Sequence, residues 1–80
     1  AIYNIKSALV SNLSKLLLGS KLWSDARHLV STIETNNKMT GSEKRASVFY
    51  DLQILAGDVS AVLINCAIEL ALLWLRGVTA

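Results

Sequence analysis

Between Val59 and Leu75 the chain runs VSAVLINCAIELALLWL, and only Ser60, Asn65 and Glu69 interrupt the apolar positions. At about 100° per residue, Asp58, Asn65, Glu69 and Arg76 share one narrow stripe, because spacings of seven and four both return near the starting angle. The remaining circumference is apolar. A surface helix buries only part of its girth, so this one is expected to be the central element of a bundle, an oligomer interface or a membrane segment. Those seventeen residues reach about 26 Å as a helix, short of a hydrocarbon core of about 30 Å. Glu69 would cost about 2.5 kcal/mol or more inside a bilayer, so packing against protein is the expectation.

The other segments read as amphipathic helices. Ile2, Ile5, Leu9, Leu13, Leu16 and Leu17 recur at three and four, with Lys6, Ser7, Ser11, Asn12 and Ser14 opposite, and Gly19 is placed to end that helix. Ser20 or Ser24 starts a second helix whose apolar face is Leu22, Ala26, Leu29, Val30 and Ile33, and Asn36-Asn37 ends it. Thr40-Gly41-Ser42-Glu43 reads as a capping box, in which the Thr40 hydroxyl accepts from the Glu43 N–H while the Glu43 carboxylate reaches back. The helix that follows has Ala46, Phe49, Leu52 or Gln53, and Ala56 as its inner row, widened by Val48, Tyr50 and Leu55, and stops at Gly57. Asp58 then reads as the N-cap of the last helix, with Arg76 complementing its negative end.

The expected architecture is therefore all-α: a single domain over 1–80 with helices at about 2–18, 21–36, 41–56 and 59–76. Connections of two to five residues favour an antiparallel arrangement with the last helix innermost. If the first two helices run on through Gly19, the array has three helices and needs a partner to cover the last one. A chain of 80 residues buries only about 60% of its unfolded surface, so oligomerisation is expected to complete the core.

Composition sharpens this picture. Apolar residues make up 52% of the chain, an excess that points to a partner surface. The net charge is +2 with acids interleaved among the bases, unlike the basic stripe of a nucleic-acid binder, and Lys44-Arg45 is the sole basic doublet. The one cysteine, Cys66, allows no intrachain disulfide and reads as a small core residue. Residues 1–18 carry lysines and lack a continuous apolar centre, which is not the pattern of a signal peptide.

No constellation of reactive groups stands out. Ser24, Asp25 and His28 could be written as a hydrolytic trio, yet they share the flank of one ordinary helix, whereas a triad needs a nucleophile on a strained turn and an oxyanion hole. One His and one Cys leave no ligand-spaced metal cluster, and no glycine-rich phosphate loop exists. No catalytic residue, metal or cofactor is expected. Glu69, among aliphatic neighbours, is expected to pair with Asn65 or with a base from another helix or subunit and to set register; a proton-linked switch is the alternative. Trp23, Tyr50 and Trp74 read as core or as interface anchors.

Thr40-Gly41-Ser42-Glu43-Lys44-Arg45-Ala46-Ser47-Val48, followed by Ile64-Asn65 and Ala67-Ile68-Glu69-Leu70-Ala71, resembles the helical tail of small phage holin-like proteins. There a Gly-x-x-Lys-Arg helix start precedes a helix ending in an Ile-Glu apolar segment. The resemblance spans about thirty residues, carries over no catalytic residue, and implies a phage or prophage protein acting by oligomerisation at or near a membrane or within a particle. Small bacteriocin immunity proteins are similar in size, charge and helix number, which implies the alternative of a soluble bundle that neutralises a partner.

Together these readings predict a non-enzymatic helical assembly protein that self-associates through its last helix. The candidate contacts are Val62, Ile64, Cys66, Ile68, Glu69, Leu72, Trp74 and Leu75. The expected partners are further copies or another protein, with the membrane as a further option and nucleic acid disfavoured; the expected setting is cytoplasmic, virion-associated or membrane-peripheral.

Overall fold

The computed structural model describes residues 2–79, with side chains described for 8–77. Among the described residues the chain is all-helical, with α1 at Ile2–Leu18, α2 at Ser20–Ile33, α3 at Gly41–Ala56 and α4 at Ala61–Thr79. The expected contributions of Ile2, Ile5, Lys6 and Ser7 lie outside the described side chains.

Gly19 ends α1 with φ of 85°, and its N–H donates to the Lys15 carbonyl at 2.9 Å. A left-handed residue breaks the helix there, so α1 and α2 are separate rods and the three-helix alternative does not hold. Helix α2 starts at Ser20, directly after this glycine, and stops at Ile33, short of Asn36-Asn37, where Asn36 Oδ1 instead accepts from the Lys38 N–H at 2.9 Å. Both halves of the capping box are present at α3. Asp58 is not the cap of α4: the chain turns at Gly57, and the Ser60 hydroxyl accepts from the Leu63 N–H at 3.3 Å. Val59, packed against the core, and the buried Ile64 then occupy the two positions of a hydrophobic staple, which explains why the helix starts two residues late.

Helix α4 packs against each of the other three, most extensively against α1, and α2 also meets every other helix, while α1 and α3 do not meet among the described residues. The cross-section is a flattened diamond, and the Cα extents are 34 × 31 × 16 Å. Lys21 Nζ on α2 reaches the Leu55 carbonyl at the end of α3, and Lys44 Nζ near the start of α3 reaches the Glu34 carbonyl at the end of α2. Each ammonium thereby sits at the negative end of the other helix.

The core consists of Leu22, Trp23, Ala26 and Val30 from α2, Val48 and Leu52 from α3, and Ile64, Ala67, Ile68 and Ala71 from α4. On α3 the inward row is Val48 and Leu52, with Phe49 and Ala56 half-buried and Ala46, Tyr50 and Leu55 exposed. The expected row was displaced because apolar residues are spread around this helix and define no single direction.

The largest departure is in α1. Its leucine face points outward, with Leu9 57%, Leu13 58%, Leu16 83% and Leu17 66% exposed. The inward side carries Val10, Ser11, Ser14 and Leu18 instead, and Ser14 is wholly buried. Two features hold it this way. The Trp23 indole N–H donates to Ser11 Oγ at 3.1 Å, and the single-residue joint at Gly19 gives α1 little freedom to roll relative to α2.

Candidate interaction surface

The polar stripe of α4 is organised by one residue from α3. With the capping box fixing the start of α3, Arg45 lies one turn into the helix and faces α4, where its guanidinium donates to Glu69 Oε1 through Nη1 and to Asn65 Oδ1 through Nη2, the latter at 3.2 Å. Asn65 completes the set by donating through Nδ2 to the Ala61 carbonyl at 3.0 Å. Glu69 is thus paired with a base from another helix of its own chain. Its carboxylate is exposed rather than enclosed by aliphatic neighbours, so the premise of a buried switch does not hold. An exposed pair of this kind stabilises by about 0–1 kcal/mol, and it selects geometry more than it adds stability.

Within the capping box the Glu43 carboxyl is held below its ordinary value of 4.5, first by the Thr40 backbone N–H, which donates to Oε1 at 2.9 Å, and then by the Thr40 hydroxyl. Charge at this position also complements the positive end of α3.

At the far side of α2, the Trp23 and Trp74 rings meet edge to face with centroids 6.4 Å apart. The Arg27 guanidinium carbon lies 5.3 Å from one ring centroid and 5.4 Å from the other. Arg27 Nε is buried without a hydrogen-bond partner, so the ring faces are its principal compensation.

The apolar candidate contacts on α4 divide into three groups. Ile64 and Ile68 are wholly buried in the chain's own core, so a second copy cannot touch them without opening the fold. Leu72, Trp74 and Leu75 are half-buried and packed against that core. Val62, at 78% exposed, faces outward, with Cys66 half-buried one turn on and Leu73 exposed further along. Cys66 is therefore not a core residue. A further exposed apolar surface is the leucine face of α1, whose three-and-four spacing is legible in the sequence without saying whether it turns toward the core.

Ser24, Asp25 and His28 are not assembled as a trio: Asp25 Oδ2 accepts from Lys21 Nζ at 2.8 Å, and Ser24 and His28 are exposed. Among the described residues no three His, Cys, Asp or Glu groups gather as a metal site, and no helix is long and apolar enough to cross a membrane. A cleft of about 40 Å³ between Val30, Ile33, Val48, Ile68 and Leu72 opens toward a shallow groove of about 470 Å³ rimmed by Glu34, Arg45 and Arg76. Comparison of the chain with family models, curated proteins and solved structures finds no match.

Proposed function

We propose that the chain is a non-enzymatic helical assembly module that associates with further copies of itself through the outer side of α4. The observation that carries this reading is the outward row of Val62, Cys66 and Leu73 on a helix whose inner side is already filled by the chain's own core. An antiparallel disposition of the four helices belongs to the same proposal, supported by the reciprocal ties of Lys21 to α3 and Lys44 to α2. Arg45, Asn65 and Glu69 lie beside the row and fix the register at which a second copy docks, the best-attested use of polar groups in helical seams. The resemblance of the Thr40–Val48 and Ile64–Ala71 segments to phage holin-like tails supports a setting in a phage particle or at a membrane.

Size-exclusion chromatography with light scattering tests the proposal. A defined oligomer that dissociates in the double variant Val62→Glu, Leu73→Glu supports it, because both side chains are exposed in the single chain and the substitutions leave its core intact. A micromolar monomer overturns it in favour of the soluble, immunity-type binding bundle.

A further inference from the structure

Helix α1 supplies none of the buried apolar residues. That set comes from α2, α3 and α4, and α1 adds only the half-buried Val10 and Leu18 around it. Yet no other helix meets α4 as extensively as α1 does. The contact encloses the Ser14 hydroxyl without a partner, and Trp23 holds α1 through Ser11. The flank of α4 beneath α1 is thus a docking surface whose occupant can leave without dismantling the apolar core.

The joint decides what else fits there. Gly19 alone separates α1 from α2, at φ 85° and ψ 158°, a region essentially reserved for glycine. Its N–H donates to the Lys15 carbonyl at 2.9 Å and its carbonyl accepts from the Trp23 N–H at 3.1 Å, so helical bonding reaches the joint from both sides. Between those bonds, the Ser20, Lys21 and Leu22 N–H groups have no partner in α2, and Gly19 offers no side chain to cap them. The Leu16, Leu17 and Leu18 carbonyls likewise have none in α1. Each of these donors lies four residues after one of these acceptors. Turning Gly19 into the helical region closes all three bonds and makes residues 2–33 one rod of about 48 Å, longer than the 34 Å extent of the closed chain. Such a rod carries α1 away from its own α4. The surface that fits the vacated flank with the same contacts is the serine side of α1 from a second copy.

We infer that the chain exchanges α1 between two copies: in the open form α1 and α2 are a single rod, and each α1 seats on the α4 of the other copy. Every contact of α1 with α4, and the hydrogen bond from Trp23 to Ser11, is remade between the copies, while each chain gains three helical bonds at the joint. This is a second route to self-association and does not rest on the outer side of α4.

Size-exclusion chromatography with light scattering tests it, in the Val62→Glu, Leu73→Glu background so that association through the outer side of α4 is silent. The methyl group of Gly19→Ala meets open space, so the substitution acts on the backbone alone: alanine resists φ of 85° and favours the continuous helix. With two joints per dimer, the dissociation constant is expected to fall about a thousandfold, with helical circular dichroism retained. A flexible Gly/Ser segment inserted after residue 19 of that variant gives the joint slack and returns the chain to monomer. A folded Gly19→Ala chain no more dimeric than its parent overturns the inference, and so does a dimer that survives the insertion. Should Gly19→Ala unfold, the background chain with its native joint decides: concentrated to millimolar it forms a dimer that the insertion abolishes, and a monomer in both overturns the inference. Failure of the assembly reading shows instead as an oligomer indifferent to Val62→Glu, Leu73→Glu, so the two proposals fail separately.

Discussion

Ser14 gives the sharpest test of how α1 is seated. Its side chain is wholly buried, and its hydroxyl has no hydrogen-bond partner. Burying an unpaired hydroxyl costs about 1–3 kcal/mol on mutational evidence, and alanine shortens the side chain by that one oxygen without opening a large void. Ser14→Ala is therefore expected to stabilise the fold by about 1–2 kcal/mol, to which helix propensity adds roughly 0.5 kcal/mol. At this chain length each kcal/mol shifts the midpoint by about 4–8 °C. Urea and thermal unfolding followed by far-ultraviolet circular dichroism measure the change, and the exposed Ser24→Ala on α2 isolates the propensity component. If Ser14→Ala gains no more than Ser24→Ala, or destabilises, then α1 does not present its serine side to the core.

Other consequences are as direct. Leu52 is wholly buried, so Leu52→Ala is expected to cost about 2–5 kcal/mol, visible as a large drop in urea midpoint. A double-mutant cycle on Arg45→Ala and Glu69→Ala is expected to return a coupling of about 1 kcal/mol or less, since both groups are substantially exposed; a coupling of several kcal/mol contradicts the solvent-facing placement of α4's stripe. The depressed Glu43 carboxyl contributes stability that is fully present above 4.5 and is lost as pH falls through its lowered folded value. Glu43→Gln should flatten the dependence of the urea midpoint between about pH 6 and pH 3 by that contribution, and an unchanged slope would falsify the capping-box assignment. Thr40→Ala is expected to cost about 1 kcal/mol near neutral pH in the same assay.

Element positions were legible because they depend on local chemistry. Gly19 and Gly57 at the breaks, together with the Thr40–Glu43 box, are short-range signals, and each is realised in the fold. The start of α4 was misread because Asp58 and Ser60 are both competent caps, and the choice between them is made by Val59 finding the core, a tertiary event. The seating of α1 is not encoded in its spacing at all. A period of 3.6 identifies a helix with two unlike faces but does not say which face meets its own chain, and here the serine side wins inside while the leucine side is left outside. In the candidate site, Glu69 and Asn65 were recognisable as an interrupted stripe and their need for a partner followed from charge. That the partner is Arg45 depends on how α3 crosses α4, and residue spacing along one helix does not encode that.

The two tryptophans are the chain's entire indole content, and they sit edge to face across the junction of α2 and α4 with a cation between them. Rings so close and nearly perpendicular couple their electronic transitions, which makes the pair a native optical reporter. Its signal in near-ultraviolet circular dichroism and its fluorescence quenching should rise and fall with the docking of those two helices. Because Trp23 also donates to Ser11, detachment of α1 alone should alter the emission while leaving the coupling in place. Release of the first helix and melting of the remaining three can thus be followed as separate events, without attaching a label.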